Sequence, residues 1–244
     1  MPANPHSSAT PPAETPSARR AETRTRLLDA AIEVFAEEGL QGAAVEAICS
    51  RAGFTRGAFY SNFSSKEQLF LALLEREFER RARDLAEKAQ MIEPSLRANS
   101  GCISPPEAAN YIVEFFTPAN DAIAWFALET EFLLLAMRDP DLAPEHHAFM
   151  DRFYASIAGA VEHVIEAAGR RFSIPAAHAM PVLSSVYEQA LRAAALRGGA
   201  FGAGAVPAGQ GSAAPPIAFA EFGDRLAELL FALTEPSGAN DSAR

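Results

Sequence analysis

The 244-residue chain has little cysteine, a single tryptophan and no long apolar run. Only Cys49 and Cys102 are present, so we expect no disulfide, and we interpret Cys49 as a small core residue. No stretch of about 18 apolar residues is long enough to span a membrane. The N-terminus lacks the charged start and apolar segment of a signal peptide. These absences predict a cytoplasmic protein with no membrane partner.

Motifs for catalysis and metal binding are also missing. The sequence has no Gly-rich phosphate loop, no Gly-x-Ser-x-Gly elbow and no Cys/His cluster. His146 and His147 are adjacent, so on a helix they point about 100° apart and cannot share a metal as an i, i+4 pair would. Glu129 and Glu131 are two residues apart and face away from each other on a helix. We therefore predict no enzyme, no catalytic residue, no metal and no cofactor.

The composition favours an all-α chain, because 49% of residues are apolar and runs of β-branched residues are short. The net charge of −10 is unevenly distributed, since the segment through Lys66 has seven basic and seven acidic residues. An acidic chain is not an obvious partner for DNA. Contact with phosphates, however, depends on where the charges lie rather than on their sum. The basic residues of the neutral segment are Arg19, Arg20, Arg24, Arg26, Arg51, Arg56 and Lys66.

The segment from Val45 to Phe63 predicts two short helices joined by a tight turn at Gly53. Glycine accepts the left-handed conformation that ends a helix without steric cost. Small and apolar residues supply a core, and the second helix has an outward face rich in hydrogen-bonding groups. This is the pattern of a helix-turn-helix, although an ordinary helical hairpin fits the pattern alone. The core residues are Ile48, Ala52, Phe54 and Phe59.

The flanking residues favour the helix-turn-helix. A helix is predicted from Thr25 to Gly39, and Ser64 with Glu67 matches a capping box that begins another helix. From about Ala21 to about Leu74 the chain resembles the DNA-binding domain of TetR-family transcriptional regulators. The resemblance lies mainly in 52–60, in Phe63 and in 65–69. It differs at Ala43 and Ala44, where family members usually have Thr or Ser, so we expect a missing helix cap that costs about 1 kcal/mol.

The resemblance implies which residues contact a double-stranded DNA operator. The N-terminal end of the second motif helix faces base edges, and we expect Arg56 to read guanine. Tyr60, Asn62 and Lys66 are expected to contact phosphates. The full set of predicted DNA-binding residues is Arg24, Val45, Thr55, Arg56, Gly57, Ala58, Tyr60, Ser61, Asn62 and Lys66.

The remaining chain is expected to form a larger helical domain for ligand binding and dimerisation. We predict a disordered tail at 1–18, a three-helix DNA-binding domain at 19–66, the second domain at 67–235 and a second tail at 236–244. The first helix of the second domain is expected to end near Ala89, before a loop containing Pro94. Further helices are predicted at 106–116, 119–138, 143–168, 177–197 and 216–233, with a flexible Gly/Ala/Pro-rich segment at 198–216.

Two properties of this domain follow from the resemblance. The first is a cavity for a small apolar or amphipathic effector, although each aromatic residue could equally be packing the core. Its predicted lining residues are Tyr111, Phe115, Trp125, Phe126, Glu129, Phe132 and Tyr187, with Thr130 as another polar candidate. The second is a homodimer through the helices near 177–197 and 216–233. Its predicted apolar stripes are Val182, Val186, Leu191, Leu196, Phe219, Leu226, Leu230 and Leu233.

The predicted function is a repressor that a small molecule releases from a near-palindromic operator. Two other classes stay open at this stage. One is a regulator of the same fold that activates transcription, or that responds to a protein. The other is an interaction module whose helix-turn-helix no longer binds DNA. The effector, the operator and the regulated genes cannot be read from the sequence.

Overall fold

The computed structural model describes residues 16–116, 122–196 and 218–237. These ranges are almost entirely helical, which confirms the expected all-α class. Two three-residue strands, β1 (Arg170–Phe172) and β2 (Thr234–Pro236), form an antiparallel pair that the sequence analysis missed. The helices are α1 (Pro16–Gly42), α2 (Val45–Ala52), α3 (Arg56–Tyr60), α4 (Lys66–Ala98), α5 (Pro105–Phe116), α6 (Ala122–Ala136), α7 (Leu142–Ala167), α8 (Ala176–Leu196) and α9 (Ala218–Leu233).

Both predicted tails include residues that the structure places in a helix or a strand. Helix α1 begins at Pro16, inside the expected N-terminal tail, and Pro236 pairs with Arg170 in the small sheet rather than belonging to the C-terminal tail. Residues 1–15 and 238–244 lie outside the described residues, as does the Gly/Ala/Pro-rich segment predicted at 198–216. The predictions of disorder and flexibility for them therefore stay predictions.

Helix α4 is longer than predicted, because it continues through Pro94 to Ala98. A proline inside a helix removes one backbone hydrogen bond and normally bends or ends the helix. Here Ala89, Ile92 and Leu96 are buried at helical spacing and pack with Phe115 of α5. Burial of this apolar face outweighs the lost hydrogen bond, so the helix does not end at the proline.

The start of α4 also differs from the predicted capping box by one residue. Ser65, rather than Ser64, is the N-cap, and its hydroxyl oxygen accepts a hydrogen bond from the backbone N–H of Gln68 at 3.2 Å. Glu67 therefore occupies the second position of the helix, where it cannot complete the box with Ser65.

The buried apolar residues of the described ranges form two large clusters and a small one. The first cluster fills the space between α1, α2, α3 and the start of α4, and it continues into α6 and α7. Trp125, Leu128 and Phe132 of α6 belong to it, and the rings of Phe70 and Phe132 are 5.2 Å apart. The second cluster joins α5, α7, α8 and α9 with the first residues of α6. The N-terminal domain thus shares its core with a helix from the second half of the chain.

The predicted dimer stripes are only partly available to a partner. Leu191 of α8 and Leu226 of α9 are buried within the protomer, in the second cluster. They pack there because α8 and α9 contact each other, and α9 also contacts α5 in the same chain. Val182 lies 44% exposed on α8, and Leu230 and Leu233 of α9 are partly buried against the second cluster. The side chain of Phe219 lies outside the described residues.

Candidate nucleic-acid interface

Helices α2 and α3 form the predicted helix-turn-helix. Gly53 follows α2 with φ 72° and ψ 32°, the left-handed conformation expected of a helix-ending glycine. Its backbone N–H donates to the Ser50 carbonyl at 3.2 Å, and that of Phe54 donates to the Cys49 carbonyl at 2.9 Å. These two hydrogen bonds close the end of α2 and turn the chain toward α3. Cys49 is a free and buried cysteine, as expected.

Helix α3 begins with a side-chain cap and is anchored by one ring. The Thr55 hydroxyl accepts a hydrogen bond from the backbone N–H of Ala58 at 3.3 Å. Phe59 is fully buried beneath the helix, which leaves the opposite side accessible. Thr55, Arg56, Gly57, Tyr60 and Ser61 are exposed, and Ala58 is half-buried. The structure therefore brings the predicted base-reading end of α3 together on one open face.

Arg56 is the most prominent charged group of that face. Its side chain is 60% exposed, and its guanidinium lies 2.6 Å from a carboxylate oxygen of Glu46 on α2. The guanidinium also lies 3.5 Å from the Tyr60 hydroxyl, with the Tyr60 ring beneath it at 5.7 Å. An exposed ion pair contributes little stability, so the guanidinium can exchange Glu46 for another acceptor at small cost.

Three arginines of α1 contact the ends of the two motif helices. Arg26 donates to the Ala52 carbonyl at 2.9 Å, Arg20 to the Ser61 carbonyl at 3.1 Å and Arg24 to the Asn62 carbonyl at 3.4 Å. The Arg24 guanidinium also lies over the Phe63 ring at 4.4 Å. All three arginines are exposed and satisfy carbonyls that a helix end leaves unpaired. They hold the motif to α1 and place positive charge beside it.

Lys66 has a role that the sequence analysis missed. Its ammonium group donates to the carbonyls of Gln41 at 3.1 Å and Ala43 at 2.9 Å, where the chain passes from α1 to α2. A basic residue 23 to 25 positions after these carbonyls gives no local sequence signal for such a contact. The predicted contact between Lys66 and a phosphate stays a prediction.

The other predicted DNA-binding residues border the face of α3. The Ser61 hydroxyl and the Asn62 amide both donate to the Ala58 carbonyl at 2.8 Å, so they close the end of α3. Val45 is half-buried at the start of α2. Ala44 is the N-cap of α2, with extended φ −92° and ψ 142° and no side-chain hydrogen bond, as expected for this chain.

The residues predicted to line an effector pocket do not share one site. Trp125 and Phe132 belong to the first cluster and Phe126 and Tyr187 to the second. Phe115 and Tyr111 belong to the small third cluster, which also holds Ala89, Ile92 and Leu96 of α4. The reason is that α6 is apolar nearly all round, so its successive sides pack against different neighbours. Trp125 is 7% exposed. Two cavities of the described ranges, of 280 and 120 Å³, have no lining residue from this set.

Polar groups nevertheless lie close together on the side of α6 that faces α8. Burial raises the pKa of Glu129 to about 7, against the opposing charge of Arg81, and the Glu188 carboxylate adds to the increase. Burial also raises the pKa values of Glu188 and of the Tyr154 phenol, which faces both acids. The Ser184 hydroxyl lies 3.4 Å from Glu188. Thr130 instead donates to its own helix, at the Phe126 carbonyl.

Within the described ranges, no group of three or more His, Cys, Asp or Glu residues could hold a metal ion. None of the helices in those ranges is both long enough and apolar enough to cross a membrane. The exposed face of α3, bordered by arginines, is therefore the best-defined candidate site of the described chain.

Taken together, the described residues form an almost entirely helical protein with an N-terminal helix-turn-helix. The family model described as bacterial regulatory proteins, tetR family, matches residues 27–73. Residues of the chain are 33% identical over 122 positions to the HTH-type transcriptional regulator UidR of Escherichia coli K12, covering 50% of this chain and 55% of UidR. The chain thus matches about half the length of that relative. Over residues 27–73 the chain is therefore similar to bacterial regulatory proteins of the tetR family.

Solved structures extend the likeness to the whole fold. A protein described as a TetR-family transcriptional regulator from Mesorhizobium loti MAFF303099 has a TM-score of 0.60 and 15% identity, over 91% of this chain and 99% of that one. A transcriptional regulator from Saccharomonospora viridis in complex with choline has a TM-score of 0.53 and 16% identity, over 86% of this chain and 96% of that one. At these identities the likeness concerns the fold.

Proposed function

We propose that the chain is a sequence-specific DNA-binding transcriptional regulator. The observation that carries the proposal is the exposed face of α3, capped by Thr55, anchored by Phe59 and presenting Arg56. Gly57 and Ala58 keep the start of this face small, which allows close approach to base edges. The arginines of α1 provide charge for phosphate contacts on the flanks. The match of residues 27–73 to the family model of bacterial regulatory proteins supports the same function.

A mutation of Arg56 tests this proposal directly. Target duplexes are first selected from a random-sequence library by the unmodified protein, and binding is then measured at several salt concentrations. Arg56→Ala should weaken binding to the selected duplex by about 1–3 kcal/mol and relax sequence preference at one base pair. Failure of the unmodified protein to select any sequence at low salt would reject the proposed function.

The matched control is Arg51→Ala. Arg51 lies on α2 in the same domain, but its guanidinium pairs with Glu37 at 2.8 Å on the side toward α1. The loss of this charge should leave base preference unchanged. Equal effects of the two substitutions on sequence preference would contradict the role given to Arg56.

We propose further that the regulator acts as a homodimer through α8 and α9. Two helix-turn-helix units about 34–36 Å apart would read successive major grooves of a near-palindromic site. Val182 is a large apolar residue of α8 that is exposed in the protomer, and Val186 follows it at helical spacing. Light scattering should give a mass near twice 26.1 kDa at micromolar concentration without DNA. A monomer mass would reject the dimer.

We propose that a small molecule binding to the C-terminal domain lowers operator affinity, which makes the protein a ligand-released repressor. The polar groups Glu129, Tyr154 and Glu188 among aromatic residues support a site on the α8 side of α6. The S. viridis protein of the same fold carries choline. Thermal shift with choline and with other amphipathic compounds would find ligands. Each hit should then reduce DNA affinity, because linkage between two sites is reciprocal.

A further inference from the structure

Helix α1 is broken close to its end, and this break lies between the two halves of the molecule. Gly39 has φ 72° and ψ 169°, a conformation that residues with a side chain rarely adopt. The chain therefore changes direction before the final turn of α1, which leads into α2. Leu40, immediately after the break, is fully buried in the core of the helix-turn-helix domain.

A carboxylate from α6 occupies this break. Glu131 Oε2 accepts a hydrogen bond from the backbone N–H of Leu40 at 2.8 Å, across 91 residues of sequence. The fit is close on the glycine side as well, because a Cβ at position 39 would lie 3.3 Å from the same oxygen. A negative charge at the N-terminal end of a helical turn is favourable, and charged hydrogen bonds are stronger than neutral ones.

The same junction is also held by a side chain of α4. Lys66 donates to the carbonyls of Gln41 and Ala43, the last of which precedes α2. The passage from α1 to α2 is thus fixed by one carboxylate and one ammonium, each from a different long helix. Of these two groups, Glu131 is the one that belongs to the C-terminal half of the chain.

Glu131 is also on the helix that joins the two apolar clusters. Phe132, the next residue, is fully buried against Phe70 in the first cluster, whereas Glu129 faces Glu188 and Tyr154 on the α8 side. A shift of α6 relative to its neighbours would therefore move the carboxylate that holds the start of the motif. Position and chemistry place Glu131 between the proposed effector site and the proposed DNA site.

We propose that Glu131 is a positioning residue that fixes the helix-turn-helix relative to the C-terminal domain. This inference rests on the proposed function, because it concerns how a dimer holds two motifs at the spacing of two half-sites. Without Glu131 each motif would gain orientational freedom, which must be lost again when both half-sites are bound. A single half-site imposes no such requirement, so its binding is expected to change much less.

The test compares two DNA duplexes. One is selected by the unmodified protein from a random-sequence library, and the other keeps one half-site with the second half scrambled. Glu131→Ala should weaken binding to the full duplex about tenfold and to the half-site duplex less than about threefold. A merely local loss of stability in the motif would weaken both duplexes equally. Equal weakening, or no weakening, would overturn the inference.

Two further variants keep the test decisive. Glu131→Gln retains an oxygen acceptor of the same length without the charge, so it should show the same selective loss at smaller size. If Glu131→Ala does not fold by circular dichroism, Glu131→Gln decides by the same criterion. The control is Glu93→Ala, which removes a carboxylate that joins α4 to His163 of α7, about 40 Å along α4 from Lys66. This control should bind both duplexes normally.

The outcome also separates this inference from the proposed function. If the unmodified protein selects no DNA sequence, the proposed function fails and Glu131 has nothing to position. If the protein selects a sequence and binds the full duplex tightly, the function stands. In that case the two Glu131 variants alone decide whether the contact with Leu40 fixes the motif.

Discussion

The helix-turn-helix and the helices that follow it depend on different kinds of sequence information. In the motif, backbone demands select particular residues: Gly53 for a left-handed turn, Thr55 and Ser65 for helix caps. From α5 to α9, the helices depend mainly on the spacing of apolar residues, which many side chains can satisfy. The family model accordingly matches residues 27–73, whereas a structural relative shares the whole fold at 15% identity. Positions where the backbone requires a particular residue form a recognisable sequence motif, whereas positions that only need to pack do not.

Helix α6 contributes to both parts of the molecule. It lies in the second half of the sequence, yet Trp125, Leu128 and Phe132 pack in the core of the first half. Glu131 adds a polar contact to the same domain. The core of the helix-turn-helix domain therefore includes residues of α6, and the sequence of the motif gives no indication of them.

The largest expected effect is that of Phe132→Ala. Phe132 is fully buried and contacts Phe70 and His146, so truncation should cost about 3–5 kcal/mol of unfolding free energy. Because α6 completes the N-terminal core, amide exchange should accelerate in α1 and in the first turns of α4. Urea unfolding and hydrogen exchange read by mass spectrometry provide the two measurements.

The matched substitution is Leu183→Ala, in the second cluster. Leu183 is buried on α8, and its truncation should cost about 2–5 kcal/mol while leaving exchange in α1 nearly unchanged. Similar exchange profiles for the two variants would mean that the two clusters do not unfold as separate units.

The sequence predicted the motif and most helix positions because those features depend on neighbouring residues. The turn at Gly53 and the uncapped start of α2 at Ala44 are both local, and both were confirmed. The continuation of α4 through Pro94 was predicted wrongly, because the burial that sustains it comes from α5. The contacts of Lys66 with Ala43 and of Glu131 with Leu40 join residues that are far apart in the sequence, so no sequence pattern predicts them.

The candidate sites, too, could be predicted only where their residues are neighbours in the sequence. The exposed face of α3 lies within a few consecutive residues, so its members could be named from the sequence alone. The predicted effector pocket required seven residues from α5, α6 and α8 to converge, and the structure assigns the six aromatic residues among them to three clusters. A helix that is apolar on all sides does not reveal which side faces which neighbour.

Glu129 offers a test with a smaller expected effect. Its pKa of about 7 lies above the ordinary value of 4.5, so the folded protein binds a proton that the unfolded chain releases between these values. The contribution of this protonated carboxyl to the free energy of unfolding is therefore fully present below about pH 4.5. It amounts to at most about 3 kcal/mol and is lost as the pH rises through about 7.

Glu129→Gln should remove this dependence. Relative to the unmodified protein, the variant should gain stability between pH 5 and pH 8, because the amide never ionises. Urea midpoints at the two pH values measure the difference, and subtraction of the two proteins cancels the opposite trend of carboxyls such as Glu93, whose pKa is lowered by His163 and Arg97. Parallel pH profiles would show that Glu129 is ionised in the fold.

The smallest expected effect returns to the motif, where Ala44 precedes α2 without a side-chain cap. Its extended backbone is already the conformation of an N-cap, so Ala44→Ser requires no rearrangement. The new hydroxyl could accept a hydrogen bond from a free N–H in the first turn of α2, and we expect a gain of about 1 kcal/mol in thermal or urea unfolding. Val45→Ser, one position inside the helix, is the control and should give no such gain. If Ala44→Ser were neutral, the first turn of α2 would already be satisfied by other groups, and the motif would depend less on local caps than Thr55 and Ser65 suggest.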